Sequence, residues 1–194
     1  MKSIIYDFET LSQNMLTGAA VSLAALEFDS KRFHDDGYSY EELLGNVKSV
    51  KFDVQEQVKK YGRSIQKSTL DWWKKQGDAA QKQLRPSDED MSISDLYDWL
   101  TNEFDIPSYK AVWTRGNTFD PIFLRTILES AGDKDPFDQW WAIRDTRSFI
   151  DGMLYGSEIR NTFIPPELNE KFIAHDPSHD VVMDVMRMQY LARL

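Results

Sequence analysis

Cysteine is absent from this 194-residue sequence, and histidine occurs only three times. The lack of cysteine excludes disulfide bonds, thiolate nucleophiles and cysteine-ligated zinc, and it is typical of proteins in a reducing cytoplasm. No apolar run approaches the roughly 20 residues that a membrane-spanning helix needs. The opening residues, MKSIIYDFET, are interrupted by acids, unlike a signal peptide. We therefore expect a cytoplasmic protein with no membrane partner.

The sequence also lacks internal repeats, low-complexity tracts and Gly/Ser-rich linkers. Hydrophobic residues make up 41% of the chain and aromatic residues 13%, which is enough for a packed core. A chain of this length suits one domain better than two. We therefore expect a single globular domain over residues 1–194.

Positive charge is scarce overall, since the formal net charge is −9. Such a balance argues against non-specific binding of nucleic acid by the whole surface. Residues 46–85 are the exception, with ten Lys or Arg side chains against four acidic ones. A basic segment in an acidic protein could guide a polyanion toward an acidic, metal-binding centre. The alternative is a solvated helical face, and charge alone favours that alternative.

Short apolar runs and helical patterns alternate along the chain. Five segments have the composition of strands: 3–9, 19–29, 47–53, 111–115 and 141–147. Helices are predicted from Ser68 to Gly77, from Ser92 or Ser94 to before Pro107, and over 120–132, 148–154 and 177–194. Three successive strands followed by alternating strands and helices predict an α/β fold, with a mixed five-stranded sheet and helices on both faces.

Two carboxylates, Asp7 and Glu9, end the first predicted strand. Residues two apart on a strand point to the same side, so these carboxylates lie together while Phe8 points into the opposite layer. Adjacent like charges are unfavourable unless a cation neutralises them, and carboxylate oxygens suit hard divalent cations such as Mg²⁺ or Mn²⁺. A solvated strand end would give the same short pattern, so this pair alone is a weak sign of a metal site.

A third carboxylate, Asp120, lies where GNTFDPIFL turns from the fourth strand into the next helix. It would occupy the carboxyl edge of the sheet, where open sheets bind ligands and where Asp7 and Glu9 are also expected. The alternative is plain capping, because the helix dipole stabilises an acid at a helix start.

Two histidines near the C-terminus each precede an aspartate by five residues, in IAHDPSHDVVMDVM. The dipeptide Asp176-Pro177 predicts an N-cap followed by the first helical residue. His175 then lies in the loop before the helix, free to lean over a site, and Asp180 lies on the first turn. His179 and Asp184 would be further along the helix. We therefore favour the first pair over the second as functional residues.

These acids and the histidine resemble the three motifs of the DEDDh 3′→5′ exonucleases, a group of the RNase H-like superfamily that includes ribonuclease T and proofreading exonucleases. The motifs correspond in order and spacing to Asp7-x-Glu9, Asn117-x-x-Asp120, and His175 with Asp180. The sequence is more similar still to the exonuclease A group of T-even bacteriophages, in YDFET, KSTLDWWKKQ, PSDEDMS and AHDPSHDVVMD. Pro177 departs from the small alanine usual in the third motif.

The resemblance implies an RNase H-like fold and hydrolysis with two divalent cations, Mg²⁺ or Mn²⁺, about 4 Å apart. It assigns one cation to Asp7, Glu9 and Asp180. It assigns the second cation to Asp7, with Asp120 acting through water, and the proton of the attacking water to His175. It also places Phe8, Thr10 and Asn117 near the terminal nucleotide of the substrate. If a phage encodes the chain, the compartment would be the host-cell cytoplasm.

We therefore predict a 3′→5′ exodeoxyribonuclease that acts at a DNA 3′ end, with single strands preferred, and releases 5′-mononucleotides. A ribonuclease T-like exoribonuclease would share the chemistry, since contacts to the 2′-OH are not readable from the sequence. A zinc hydrolase using His175 and His179 would require a helical His175, which Pro177 disfavours. A non-catalytic nucleic-acid-binding module should have lost at least one of the four carboxylates.

Two further segments carry chemically versatile side chains. Trp72 and Trp73 are adjacent on a predicted helix and point about 100° apart, so at most one faces the core squarely. Core packing is favoured for the pair, with base stacking as the alternative. In Asp145-Thr146-Arg147, a strand-end cap or an ion pair is as consistent with the sequence as a functional role.

Overall fold

A computed structural model describes the backbone of residues 1–194 and all side chains except those of residues 79 and 80. The strands are β1 Lys2–Thr10, β2 Ala20–Asp29, β3 Lys48–Lys51, β4 Ala111–Thr114 and β5 Ile143–Asp145. The α-helices are α1 Tyr40–Asn46, α2 Val54–Tyr61, α3 Lys67–Trp73, α4 Asp78–Lys82, α5 Leu96–Glu103, α6 Asp120–Ala131, α7 Thr146–Met153 and α8 Pro177–Ala192. Short 3-10 turns connect several of them.

The five strands form one mixed sheet with the order β3-β2-β1-β4-β5. β1 pairs with β2 and β2 with β3 in antiparallel fashion, whereas β1–β4 and β4–β5 are parallel. Because β1, β4 and β5 run in the same direction, their carboxyl ends meet at one edge of the sheet. The predicted five-stranded mixed sheet is confirmed.

Alternating side chains of β1 divide the core into two layers. Ile4, Tyr6 and Phe8 belong to a cluster that includes residues of α5 and α6. Ile5 belongs to a second cluster, on the face that α8 covers with a continuous run of buried residues over 181–189. Helices therefore cover both faces, and the odd-numbered positions of β1 face the same layer as α8.

Helix boundaries differ from the sequence prediction in the basic segment. α3 begins at Lys67 rather than at the predicted Ser68, and its N-cap is Gln66, which makes no side-chain capping bond. The helix also ends before Gly77, because the chain turns after Trp73. The side-chain amide of Gln81 donates hydrogen bonds to the carbonyls of Lys74 and Gln76 in that turn, which stabilises the early termination.

Three helices, α1, α2 and α4, were not predicted. α1 and α2 each begin with a side-chain cap: Ser39 accepts a hydrogen bond from the Glu42 amide, and Asp53 accepts one from the Glu56 amide. Both helices have eight residues or fewer, which is too short for hydrophobic periodicity to identify.

Throughout the part of the chain that the structure describes, no helix combines the length and the apolar character needed to cross a bilayer.

Candidate active site

The carboxyl end of β1 carries the first two site residues, Asp7 and Glu9. Strand alternation turns both toward the face that α8 covers, and both line a cavity of about 510 Å³ at this edge of the sheet. The pairing register between β1 and β2 shifts at Glu9–Thr10, so the regular ladder ends where the site begins.

Asp120 joins this cavity from the opposite layer, as the first residue of α6. Its side chain is 5% exposed, and Oδ1 accepts a hydrogen bond from the backbone N–H of Phe8 at 3.3 Å. Plain capping does not describe this residue, since Phe119 occupies the N-cap position and α6 has no side-chain cap. The bond instead joins the start of α6 to the carboxyl end of β1.

His175 lies in the loop before α8, as the Asp-Pro dipeptide predicts. Asp176 is the N-cap and accepts a hydrogen bond from the Ser178 amide at 3.0 Å, and Pro177 is the first helical residue. The backbone of His175 is in the left-handed region (φ +63°), which is unusual for a residue with a β-carbon. Its N–H donates to Asp180 Oδ2 at 3.1 Å, so this loop conformation is linked to the first turn of the helix.

Glu9, His175 and Asp180 lie close enough to bind one ion. Each offers a ligand atom, and these atoms are all within 4.8 Å of one another. Asp7 and Asp120 line the same cavity as these three residues. The structure therefore brings together the five residues that the motif resemblance predicts to be catalytic.

The electrostatics of the site favour the binding of a cation. Burial, followed by repulsion from neighbouring carboxylates, holds the pKa of Asp7 and of Glu9 well above their ordinary values. Burial raises the pKa of Asp120 and of Asp180 to about 7. Four such groups cannot all ionise near neutral pH without a compensating cation. An oxygen-rich donor set of this kind fits a hard divalent cation.

The second His–Asp pair has different bonding partners, although Asp184 also lines the cavity. His179 Nδ1 is hydrogen-bonded to the Tyr40 hydroxyl at 2.6 Å, and His179 is outside the cavity lining. Asp184 is 2% exposed and accepts hydrogen bonds from Arg115 at 2.6 Å and from Arg187 at 2.7 Å. It also accepts one from Thr146. Two arginines already neutralise Asp184, so its environment is that of a buried structural ion pair.

The three residues predicted to contact substrate occupy different positions. Phe8 lines the cavity but is 6% exposed and packs against Phe52 and Phe123 in the core. The Thr10 hydroxyl donates to the Ser12 carbonyl at 2.9 Å. Asn117 is exposed and outside the cavity lining, and its N–H donates to Asp145 Oδ2 at 3.1 Å. Of the three, only Phe8 borders the cavity.

The adjacent tryptophans have separate environments. Trp73 is fully buried, and its indole N–H donates to the Thr10 carbonyl at 3.0 Å, so the core-packing interpretation describes this residue. Trp72 is 40% exposed, and its ring meets the His175 imidazole edge to face, with centroids 4.7 Å apart and planes at 83°. Sequence reasoning missed this contact because it joins residues 72 and 175, which are distant in the chain.

Much of the basic charge in residues 46–85 is engaged within the molecule. Arg63 is 3% exposed, and its guanidinium donates to the carbonyls of Gly18 and Thr126. Lys51 contacts Asp90 at 2.8 Å, and Lys60 contacts Glu56 at 3.1 Å. These contacts agree better with a surface stabilised by local ion pairs than with a continuous basic track.

Comparisons with known proteins identify relatives along nearly the whole chain. The family model described as "3'-5' exoribonuclease Rv2179c-like domain" matches residues 2–186. An exodeoxyribonuclease of Enterobacteria phage T4 is 32% identical over 210 residues, covering 100% of this chain and 90% of that protein. This relative agrees with the predicted similarity to exonucleases of T-even bacteriophages.

Solved structures of E. coli exonuclease I have the same fold. A zinc-bound complex with single-stranded DNA superimposes with a TM-score of 0.60 at 16% identity, and a complex with a dT13 oligonucleotide superimposes with a TM-score of 0.59 at 14% identity. They cover 100% and 99% of this chain, which spans only about 40% of the length of those proteins. At this identity the similarity concerns the fold, and the predicted RNase H-like architecture is confirmed.

Proposed function

Because this chain belongs to the family of 3'-5' exoribonuclease Rv2179c-like domains and is a 3′→5′ exonuclease, we propose that it is a metal-dependent DEDDh enzyme that releases 5′-mononucleotides. We propose further that residues 1–194 form one exonuclease domain. The observation that carries the proposal is the convergence of four carboxylates and one histidine, from β1, α6 and the start of α8, on a single cavity.

In this proposal Asp7, Glu9 and Asp180 hold one divalent cation, and Asp7 and Asp120 hold a second, with Mg²⁺ or Mn²⁺ as the expected ions. Bound cations of this type activate water and stabilise the leaving oxygen of a phosphodiester. His175 accepts the proton of the attacking water at an imidazole nitrogen. Burial lowers the pKa of His175, which keeps the ring neutral and able to accept a proton at pH 7.

The proposed substrate is the 3′ end of DNA. The relative from phage T4 is described as an exodeoxyribonuclease, and its 32% identity extends over all of this chain. The structural neighbours include complexes with single-stranded DNA, which supports a preference for single strands. RNA is the second candidate, since the family that matches residues 2–186 is described as an exoribonuclease domain.

The test uses DNA and RNA oligonucleotides of the same sequence, labelled at either the 3′ or the 5′ end. With Mg²⁺ or Mn²⁺, we expect immediate release of a labelled mononucleotide from 3′-labelled DNA and a descending ladder from 5′-labelled DNA. EDTA should stop both reactions. Faster degradation of RNA would select the second candidate, and zinc-specific activity or mononucleotide release from the 5′ end would contradict the proposal.

Substitution of the carboxylates tests the proposed metal ligands. Asp7→Ala, Glu9→Ala and Asp180→Ala should each lower kcat by about 10³-fold or more, because each removes an anionic ligand. Circular dichroism should show retained structure. Full activity of any of these variants with Mg²⁺ would refute the ligand assignment.

A further inference from the structure

Arg147 is a cation at the rim of the acidic cavity. It is the second residue of α7, it is exposed, and it lines the same cavity as Asp7, Glu9 and Asp120. Its two predecessors have structural partners: Asp145 caps α7 through the Ser148 amide at 2.9 Å, and Thr146 donates to Asp184. In the segment Asp145-Thr146-Arg147, contacts within the protein therefore account for the first two side chains but not for Arg147.

The guanidinium of Arg147 differs from the other two that line the cavity. Arg115 is bonded to Asp184 and Asn161, and Arg187 is bonded to Asp184 and to the Phe163 carbonyl. Throughout the chain, residues 79 and 80 aside, no carboxylate lies within 4.0 Å of the Arg147 guanidinium. Of the three arginines that line the cavity, only Arg147 therefore has guanidinium N–H groups available to bind a ligand.

The charges around the cavity suggest what that ligand is. Arg147 shares the wall of the cavity with the carboxylates of Asp7, Glu9, Asp120 and Asp180. A phosphate approaching these carboxylates meets strong repulsion in a protein of net charge −9. A guanidinium offers planar, paired donors that match two oxygens of a phosphate.

We propose that Arg147 binds a backbone phosphate of the nucleic-acid strand as its 3′ end enters the cavity. The contact positions the strand over the carboxylates, and the charge of this exposed guanidinium offsets their repulsion of the phosphate. This inference rests on the proposed nuclease function and deepens it by assigning a substrate-binding residue. The side chain is exposed and forms no ion pair with any side chain that the structure describes, so its replacement should leave the protein folded.

The first experiment measures binding without hydrolysis. A fluorescent single-stranded oligonucleotide is titrated in EDTA with the wild type, Arg147→Ala and Arg147→Lys over a range of salt concentrations. Arg147→Ala should weaken binding about 10-fold and reduce the slope of log K against log[salt] by about 0.7, the value for one phosphate contact to a single strand. Arg147→Lys should retain the slope and part of the affinity.

Arg144→Ala is the matched control. Arg144 lies three residues away, is also exposed, and donates to the Trp141 and Ile143 carbonyls outside the cavity. Its replacement should leave both affinity and salt slope unchanged. An equal reduction of the slope in both variants would overturn the proposal, because it would indicate a general electrostatic effect.

Methylphosphonate linkages then locate the phosphate. One neutral linkage is placed in turn at each of the last phosphates before the 3′ end of the oligonucleotide. At one of these positions it should weaken binding by the wild type, whereas the affinity of Arg147→Ala should not change there. Undiminished sensitivity of Arg147→Ala at every position would overturn the proposal. The proposal would also be overturned if the only defect of Arg147→Ala were a changed Mg²⁺ requirement. Arg147 would then affect metal binding by the carboxylates and not binding of the phosphate. The two proposals can fail separately. If the protein binds the oligonucleotide through Arg147 but does not hydrolyse it, the proposed function is refuted and the phosphate contact is supported.

Discussion

His175 and His179 are four residues apart, but different groups surround them. His175 contacts Trp72 and shares a possible ligand cluster with Glu9 and Asp180, whereas His179 is bonded to Tyr40. A general base must reach the proton that it removes, so the positions of the two histidines favour His175 over His179 for this role. The left-handed backbone of His175 adds strain of the kind that often marks functional loops.

Comparing the two histidine variants is the sharpest test at the residue scale. His175→Ala should lower kcat by about 10²- to 10⁴-fold, the usual contribution of a general base. His179→Ala should retain activity within a few-fold and lose about 1 kcal/mol of stability with the Tyr40 hydrogen bond. Initial rates at saturating substrate and urea unfolding provide the two measurements. A greater loss of activity in His179→Ala would reverse the assignment.

At the scale of elements, α3 and the loop before α8 meet through one pair of rings. Trp73 is buried in the core and fixes the position of α3. The ring of Trp72 therefore lies against His175, with the ring centroids 4.7 Å apart. Successive helical residues point in different directions, so the WW dipeptide holds the core with one ring and contacts the site with the other. α3 therefore helps to define the position of the histidine.

The Trp72 contact gives a prediction about positioning. Trp72→Ala should lower kcat about 10-fold with KM changed less than about 2-fold, because a displaced base loses efficiency without loss of substrate contacts. Trp72→Phe should restore most of the rate by keeping an aromatic ring. With only three histidines in the chain, the NMR signals of His175 can be assigned, and they should shift in Trp72→Ala.

Trp141→Ala provides the matched control, since Trp141 is 59% exposed and outside the cavity lining. It should change neither the rate nor the His175 signals. A rise in KM with unchanged kcat in Trp72→Ala would show instead that Trp72 stacks on a base of the substrate.

For the whole molecule, the acidic cavity opposes stability when no metal is bound. Raised carboxyl pKa values mean that the folded protein binds more protons than the unfolded chain between about pH 4 and pH 7. The free energy of unfolding in EDTA should therefore decrease as the pH rises through this window. Divalent cations should reduce the decrease, because they neutralise the ionised carboxylates. Urea unfolding from pH 5 to pH 8, with and without Mg²⁺, measures both effects.

Asp180→Asn and Asp184→Asn should have opposite effects in the same experiment at pH 8. Asp180→Asn should raise the free energy of unfolding in EDTA by about 1–2 kcal/mol, because it removes a repelled charge. Asp184→Asn should lower it by about 3–5 kcal/mol, because it leaves buried Arg187 and half-buried Arg115 without their counterion. Destabilisation by Asp180→Asn in EDTA would contradict the electrostatic account of the cavity.

The sequence by itself predicted the mixed sheet, the acidic end of β1 and the start of α8. These features depend on local rules: alternation along a strand determines which face Asp7 and Glu9 share, and Asp176-Pro177 has the pattern of a helix start. The capping patterns at Ser39 and Asp53 were equally local, but α1 and α2 are too short for periodicity to confirm them.

Only the tertiary structure decided which side chains meet across long stretches of chain. The Trp72–His175 contact, the Asp120 bond to Phe8 and the engagement of Asp184 by Arg115 each join residues that are more than 60 positions apart. Such contacts depend on the packing of layers, and no spacing in the sequence encodes them. Among the side chains that the structure describes, the same packing pairs Arg115 and Arg187 with Asp184 but leaves Arg147 at the cavity without an ion-pair partner. Burial and distance, not residue type, determine which charges find partners.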